Sequence, residues 1–213
     1  MANGRILIFS GGCLGEWALE EIQEGDFLLG ADRGALFLLR NNLQPNFALG
    51  DFDSVTKDEF NEIQSFSRGI SCCDAVKKDH TDTEMAFNWA LAQRPAEIVL
   101  MGVTGTRLDH TLANIHLLYR GLSAGVPCRI IGEKNEIILI DKSASVARGR
   151  FAHVSLLPLS TEVTGITLEG FQYPLYKHTI RMGESVGISN ILVEETGAVH
   201  IDSGLLLVMK SLD

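Results

Sequence analysis

Long apolar runs are missing from this sequence. The N-terminal run Ile6-Leu7-Ile8-Phe9 is too short for the apolar core of a secretory leader. No stretch offers the roughly 20 apolar residues of a membrane-spanning helix, so a membrane is not an expected partner. Cysteine is scarce. Cys13, Cys72, Cys73 and Cys128 contain no Cys-x-x-Cys pair, which argues against a zinc knuckle and leaves thiols in a reducing compartment. The cytoplasm is the expected location. Positive charge is also short: 18 Lys and Arg against 27 Asp and Glu give a net charge of −9. That balance argues against nucleic acid or an anionic membrane surface as a partner. Repeats and low-complexity tracts are absent.

What is present is a core-forming chain of 213 residues, 46% of them hydrophobic. This suits one large domain or two small ones. Strands are predicted at residues 5–10, 26–29, from Phe47, at 97–101 and at 128–131. Helices are predicted over 16–23, 36–40, 56–66, 85–91 and 109–119. Thr81-Asp82-Thr83-Glu84 reads as a capping box before the fourth helix. This alternation implies a largely parallel α/β sheet, and its apolar strands are continuous, as strands covered on both faces should be. After about Gly132 helical periodicity disappears. Short β-rich runs follow at 137–140, 153–157, 165–168, 185–191, 198–201 and 205–209. The expected architecture is a Rossmann-like, mostly parallel α/β domain over 1–135, then a small antiparallel β-sandwich or barrel over 136–213.

The chemistry concentrates where the strands end. Gly50-Asp51-Phe52-Asp53-Ser54 follows a short apolar strand. In an extended chain, Asp51 and Asp53 would point one way and Phe52 the other. Two carboxylates aimed at one point repel and usually share a cation, and oxygen ligands favour Mg²⁺. An Asx-turn with both acids solvated is the competing account of the same residues. Asp32 follows the second strand, Gly102 to Asp109 the fourth, and Asp82 sits at a helix start suited to phosphate. Open parallel sheets bind ligands along that edge. Taken singly, Asp32 reads as a helix cap, Arg107 and Asp109 as a pair, and the Gly102–Arg107 loop as a plain turn. The loop is neither a Walker A nor a G-x-G-x-x-G, and Gly11-Gly12 lacks the dinucleotide fingerprint.

Four segments occur in order: Gly30-Ala31-Asp32-Arg33-Gly34, Gly50-Asp51-Phe52-Asp53-Ser54, Lys78-Asp79-His80-Thr81-Asp82-Thr83-Glu84 and Gly102-Val103-Thr104-Gly105-Thr106-Arg107-Leu108-Asp109-His110. With Leu168-Glu169-Gly170-Phe171-Gln172-Tyr173-Pro174-Leu175 and Gly187-Ile188-Ser189-Asn190 in the tail, the chain resembles the thiamine pyrophosphokinases. The resemblance implies Mg²⁺-dependent transfer of pyrophosphate from ATP to the thiamine hydroxyl, with AMP as the second product. It also implies a homodimer, with thiamine near the subunit interface. On it, Asp32, Asp51, Asp53 and Asp82 are the metal acids, and Arg107 clamps phosphate. Gly102 and Gly105 let backbone approach ATP, and Thr81 donates to a phosphate oxygen. Asp79 or Asp109 orients or deprotonates the attacking hydroxyl. Ser189 and Asn190 hold thiamine, with Tyr173 or Phe171 as the stacking ring. The alternatives are a transferase for a different alcohol, a binding protein without turnover, and a dinucleotide oxidoreductase.

Overall fold

The computed structural model describes residues 4–72 and 79–213. Cys73 and Lys78 lie outside the described residues. The chain forms two compact units, residues 1–133 and 134–213.

The first unit carries six strands: β1 (Arg5–Phe9), β2 (Phe27–Ala31), β3 (Phe47–Gly50), β4 (Ile70–Cys72), β5 (Glu97–Met101) and β6 (Cys128–Ile131). They lie in the order β4-β3-β2-β1-β5-β6, and every pairing among them is parallel. The strand order reverses between β1 and β5, the kind of switch point beside which open α/β sheets bind ligands. Leu7, Ile8 and Phe9 are wholly buried, as are Val99, Leu100 and Met101 on β5. A strand sandwiched between two layers needs apolar residues on both faces, which is why these runs do not alternate. The helices are α1 (Glu16–Glu20), α2 (Arg33–Arg40), α3 (Lys57–Phe66), α4 (Asp82–Ala92) and α5 (Leu108–Ser123).

Two glycines bring α2 hard against the sheet. A Cβ at Gly34 would lie 1.7 Å from the Phe9 carbonyl oxygen, and one at Gly30 would lie 2.4 Å from the Ala35 Cα. The start of α2, with Asp32 as its N-cap, is thereby held at the end of β1.

Capping differs from the sequence expectation. Thr81 accepts the Glu84 N–H, but Glu84 does not return the bond; its carboxylate meets Arg120 at 2.9 Å and His80 at 3.1 Å. The full capping box is at Thr56 and Glu59, before α3. Strand β4 was not expected either, being only three residues long.

The second unit contains β7 (Asn135–Ile140), β8 (Ser143–Ala147), β9 (His153–Pro158), β10 (Glu162–Glu169), β11 (His178–Arg181), β12 (Thr196–His200) and β13 (Leu206–Ser211). They form antiparallel layers in the orders β7-β13-β9 and β11-β10-β12-β8. One core joins both layers, with Val154, Leu156, Leu206 and Val208 facing Val163, Ile166, Ile180 and Val199. The unit is therefore a sandwich. Residues 185–191, expected as a strand, are irregular. Ser189 has φ 57°, which breaks any ladder, and the segment touches β9 through Leu156 N–H to Gly187 O and the Val154–Asn190 bridge. Among the described residues, no helix is long and apolar enough to cross a membrane.

Candidate active site

The switch point of the first unit opens into a cavity of about 550 Å³. Two glycine turns form its floor. The Ser10 N–H donates to Met101 O at 2.9 Å and the Gly12 N–H to Gly102 O at 2.8 Å. A Cβ at Gly12 would stand 2.4 Å from that oxygen, and Gly102 has φ 67°, a conformation natural only to glycine. Expected site residues Asp32, Thr81, Asp82, Gly102, Gly105 and Arg107 all line the cavity. Two buried lining residues escaped the sequence reading. Ser10 is buried and its hydroxyl meets that of Thr83 at 3.0 Å. Asn114, also buried, donates through Nδ2 to Val103 O at 2.7 Å and so ties the glycine loop to α5. Their only sequence signal was position, one turn or one strand end away from the motifs.

Asp51 and Asp53 do not line the cavity wall, and they are not presented by an extended chain. Strand β3 ends at Gly50, and Phe52 takes φ 57°, burying its ring against Ala35, Phe60 and Ile63. Asp53 N–H then donates to Asp51 Oδ1 at 3.1 Å. The local chemistry of an Asx-type turn wins over strand alternation. Asp53 is exposed, and Asp51, half-buried, donates its own N–H to Asp82 Oδ1 at 3.3 Å.

These acids nonetheless gather around Asp32. Its φ of 50° is unusual for a residue with a side chain, and its N–H is fixed to Leu49 O at 2.9 Å. Burial pushes the Asp32 carboxyl up, and the charges of Asp82, Asp53 and Asp51 push it further; the Ser54 hydroxyl, which donates to Oδ2, opposes them. Asp32 Oδ1 is buried without any hydrogen-bond partner. A buried, unmet carboxylate oxygen among like charges fits a bound cation. Among the described residues no three acidic, His or Cys side chains close a metal cage by themselves.

The sign of the pH effect follows. A carboxyl raised above its ordinary value near 3.8 gives stability that is full below that value and is lost as pH rises through the folded one. At about pH 7.5, without divalent cation, Asp32→Asn is therefore expected to raise the melting temperature, with the gain shrinking as pH falls toward about 4. Scanning calorimetry across that range checks this; an unchanged or lowered melting temperature near neutrality would remove the like-charge account.

Arg107 and Asp109 pair across the loop, Nη2 to Oδ2 at 2.6 Å and Nε to Oδ1 at 3.2 Å. The guanidinium, with the His110 backbone N–H, lowers the Asp109 carboxyl to about 2. Both side chains are exposed, so the pair is weak and open to exchange with an incoming anion. Asp79 is exposed beside the start of α4.

In the second unit, Asn190 is buried and fully engaged: Oδ1 accepts the Tyr173 and Ile191 N–H groups at 3.0 and 2.9 Å, and Nδ2 donates to Tyr173 O at 2.7 Å. It is the clamp that presents Tyr173, whose ring is exposed. Phe171, the other aromatic candidate, is part of the sandwich core and offers no face. Ser189 is exposed, its strained N–H donating to Ser155 Oγ at 3.0 Å.

A six-stranded parallel sheet with glycine turns, an arginine and acids at its switch point, followed by a β-sandwich, defines an α/β protein with a ligand site at the sheet's carboxyl edge. Residues 19–130 match the family model "Thiamin pyrophosphokinase, catalytic domain", and residues 136–206 match "Thiamin pyrophosphokinase, vitamin B1 binding domain". The chain is 34% identical over 192 residues to the thiamine pyrophosphokinase of Bacillus subtilis, covering 87% of each chain. It is 26% identical to thiamine pyrophosphokinase 2 of Arabidopsis thaliana, covering 80% of this chain and 67% of that one. The crystal structure of the Bacillus subtilis enzyme superposes with a TM-score of 0.90 at 31% identity, covering 98% of this chain and 99% of that one. That of Geobacillus thermodenitrificans gives 0.88 at 32% identity, covering 98% of both. The chain belongs to the thiamine pyrophosphokinase family.

Proposed function

We infer that this protein is a thiamine pyrophosphokinase, transferring the terminal pyrophosphoryl unit of ATP to thiamine. Two matched domains on two structural units carry this reading: the catalytic match holds most of the cavity's lining, and the vitamin B1 match holds most of the sandwich with its presented tyrosine. In the reaction the thiamine hydroxyl oxygen bonds to the β-phosphorus, the bond from that phosphorus to the α-bridging oxygen breaks, and AMP leaves with the bond's electrons. The hydroxyl proton passes to a base.

Asp32, Asp51, Asp53 and Asp82 are the residues that hold Mg²⁺, which when bound neutralises charge on the phosphate chain. Gly102 and Gly105 keep the cavity floor free of side chains so that the nucleotide approaches backbone. Thr81 Oγ already accepts the Glu84 N–H, which leaves its hydroxyl proton to donate to a phosphate oxygen. Arg107 exchanges Asp109 for phosphate, where its planar fork matches two oxygens. Asp79, or Asp109 once Arg107 has left it for phosphate, orients the attacking hydroxyl or takes its proton. Exposed Ser189 and Tyr173 contact thiamine, Tyr173 stacking on its cationic ring, and Asn190 acts through Tyr173.

The protein is proposed to work as a homodimer in the cytoplasm. Tyr176, Met182, Val186, Ile188 and Val193 of the sandwich unit are large, apolar and exposed, as an interface requires. Sedimentation giving a monomer at assay concentration would remove the dimer.

Incubation with ATP, Mg²⁺ and thiamine tests the activity. AMP forming in step with thiamine diphosphate is the expected outcome. ADP instead would mean single-phosphoryl transfer, and no turnover would favour another alcohol or a binding role. Within the reading, Ser189→Ala is expected to raise KM for thiamine several-fold more than KM for ATP. Equal changes would place Ser189 outside the thiamine pocket.

A further inference from the structure

We propose that Asn114 selects the nucleotide, by offering its side-chain oxygen to a hydrogen-bond donor on the nucleoside. The inference rests on the cavity being the ATP site.

Asn114 lies in the second turn of α5 and is only 6% exposed. Its Nδ2 donates to Val103 O at 2.7 Å, which settles which way the amide faces, since the flipped amide would set two oxygens against each other. Among the described residues Oδ1 accepts no hydrogen bond, yet it is not sealed in with the orphaned buried atoms, which there are those of Asp32, Ser67, Asn88 and His153. The open space beside Asn114 is the cavity, whose wall it forms together with His110 and Thr111, one turn earlier on the same helix. In the same wall the Gly105 N–H donates to Thr111 Oγ1 at 3.2 Å. Asn114 thus presents one oriented acceptor into the nucleotide cavity, on a side chain that the fold immobilises.

An acceptor of that kind has a narrow choice. Phosphate oxygens are acceptors and are repelled. The donors on ATP are the exocyclic amino group of adenine and the ribose hydroxyls. Hypoxanthine puts a carbonyl oxygen where adenine has its amino group, and a deoxyribose lacks the hydroxyl. In either case the bound nucleotide covers Oδ1 and leaves it unmet, a cost that appears as discrimination.

The experiment uses the full chain with thiamine and Mg²⁺. The value of kcat/KM is measured for ATP, ITP, 2′-deoxy-ATP and 3′-deoxy-ATP, in the wild type and in Asn114→Ala. Asn114→Ser replaces the alanine variant if circular dichroism shows that it does not fold. The expected result is that the wild type disfavours one analogue class about ten- to hundredfold, and that the variant lowers this ratio to near one. Loss of the ITP ratio assigns the adenine amino group, and loss of a deoxy ratio assigns that hydroxyl. A side chain that merely braces Val103 would lower all four values together and leave their ratios alone, which would overturn the proposal. So would a wild type indifferent to all three analogues. Absence of any ATP turnover with thiamine would instead sink the parent reading.

Discussion

Asp82→Asn is expected to cut thiamine diphosphate formation by about 10²–10³-fold or more while the protein stays folded. Asp82 opens α4, but Thr81 is that helix's cap, so the helix does not depend on the Asp82 carboxylate. The polar contact of Oδ1 with the Asp51 N–H is long, 3.3 Å, and an asparagine oxygen can still accept it. What the substitution removes is charge. Among the like charges acting on Asp32, Asp82 has the largest effect, so its loss relieves repulsion in the resting protein and, on the proposed metal site, withdraws a cation ligand in the working one. Asp51→Asn and Asp53→Asn are expected to behave the same way, with melting temperatures equal to or above the wild type. Turnover near wild type in all three would show that the acids gather there for another reason.

Gly34→Ala is expected to stop the first unit from folding, or to lower its melting temperature far more than an ordinary overpacked core position, whose cost is about 1–3 kcal/mol. The added methyl would sit 1.7 Å from the Phe9 carbonyl oxygen and 2.3 Å from its carbon. Both obstacles are backbone at the centre of the sheet, so no rotamer change clears them. Phe9 is paired to β2 on one side and β5 on the other, which leaves β1 unable to shift alone. Gly149→Ala, with nothing within 4 Å of the added Cβ, is the matched control and should be neutral. Thermal unfolding decides; a Gly34→Ala protein melting within a few degrees of wild type would mean that α2 is free to lift away from the sheet.

Much of this was legible along the chain. Continuous apolar runs between helical periods predict a parallel sheet, and a parallel sheet delivers every strand-end residue to one edge. Asp32, Thr81, Asp82, Gly102 and Arg107 therefore group from the sequence alone, and all five line the cavity. The shift to short β runs after Gly132 likewise foretold a second, antiparallel layer pair, because alternation and turn residues are local properties. The ordered motifs carried the family.

Other features depended on neighbours that a sequence does not show. Extended geometry at Asp51–Asp53 lost to an Asx-type turn because burying Phe52 under α2 and α3 requires a positive φ there. Glu84 left its capping partner because Arg120, 36 residues away, comes within 2.9 Å. Asn190 is engaged with backbone because its amide meets the Tyr173 carbonyl from 17 residues along the chain. Asn114 gained an orientation only when Val103 came to rest beside it. Periodicity, turn chemistry and strand ends act over a few residues, so the chain alone determined the elements and the edge where the chemistry collects. Which atom of each polar side chain is engaged and which is left open was decided by the tertiary structure, because hydrogen-bond partners are chosen by distances of about 3 Å between segments remote in sequence.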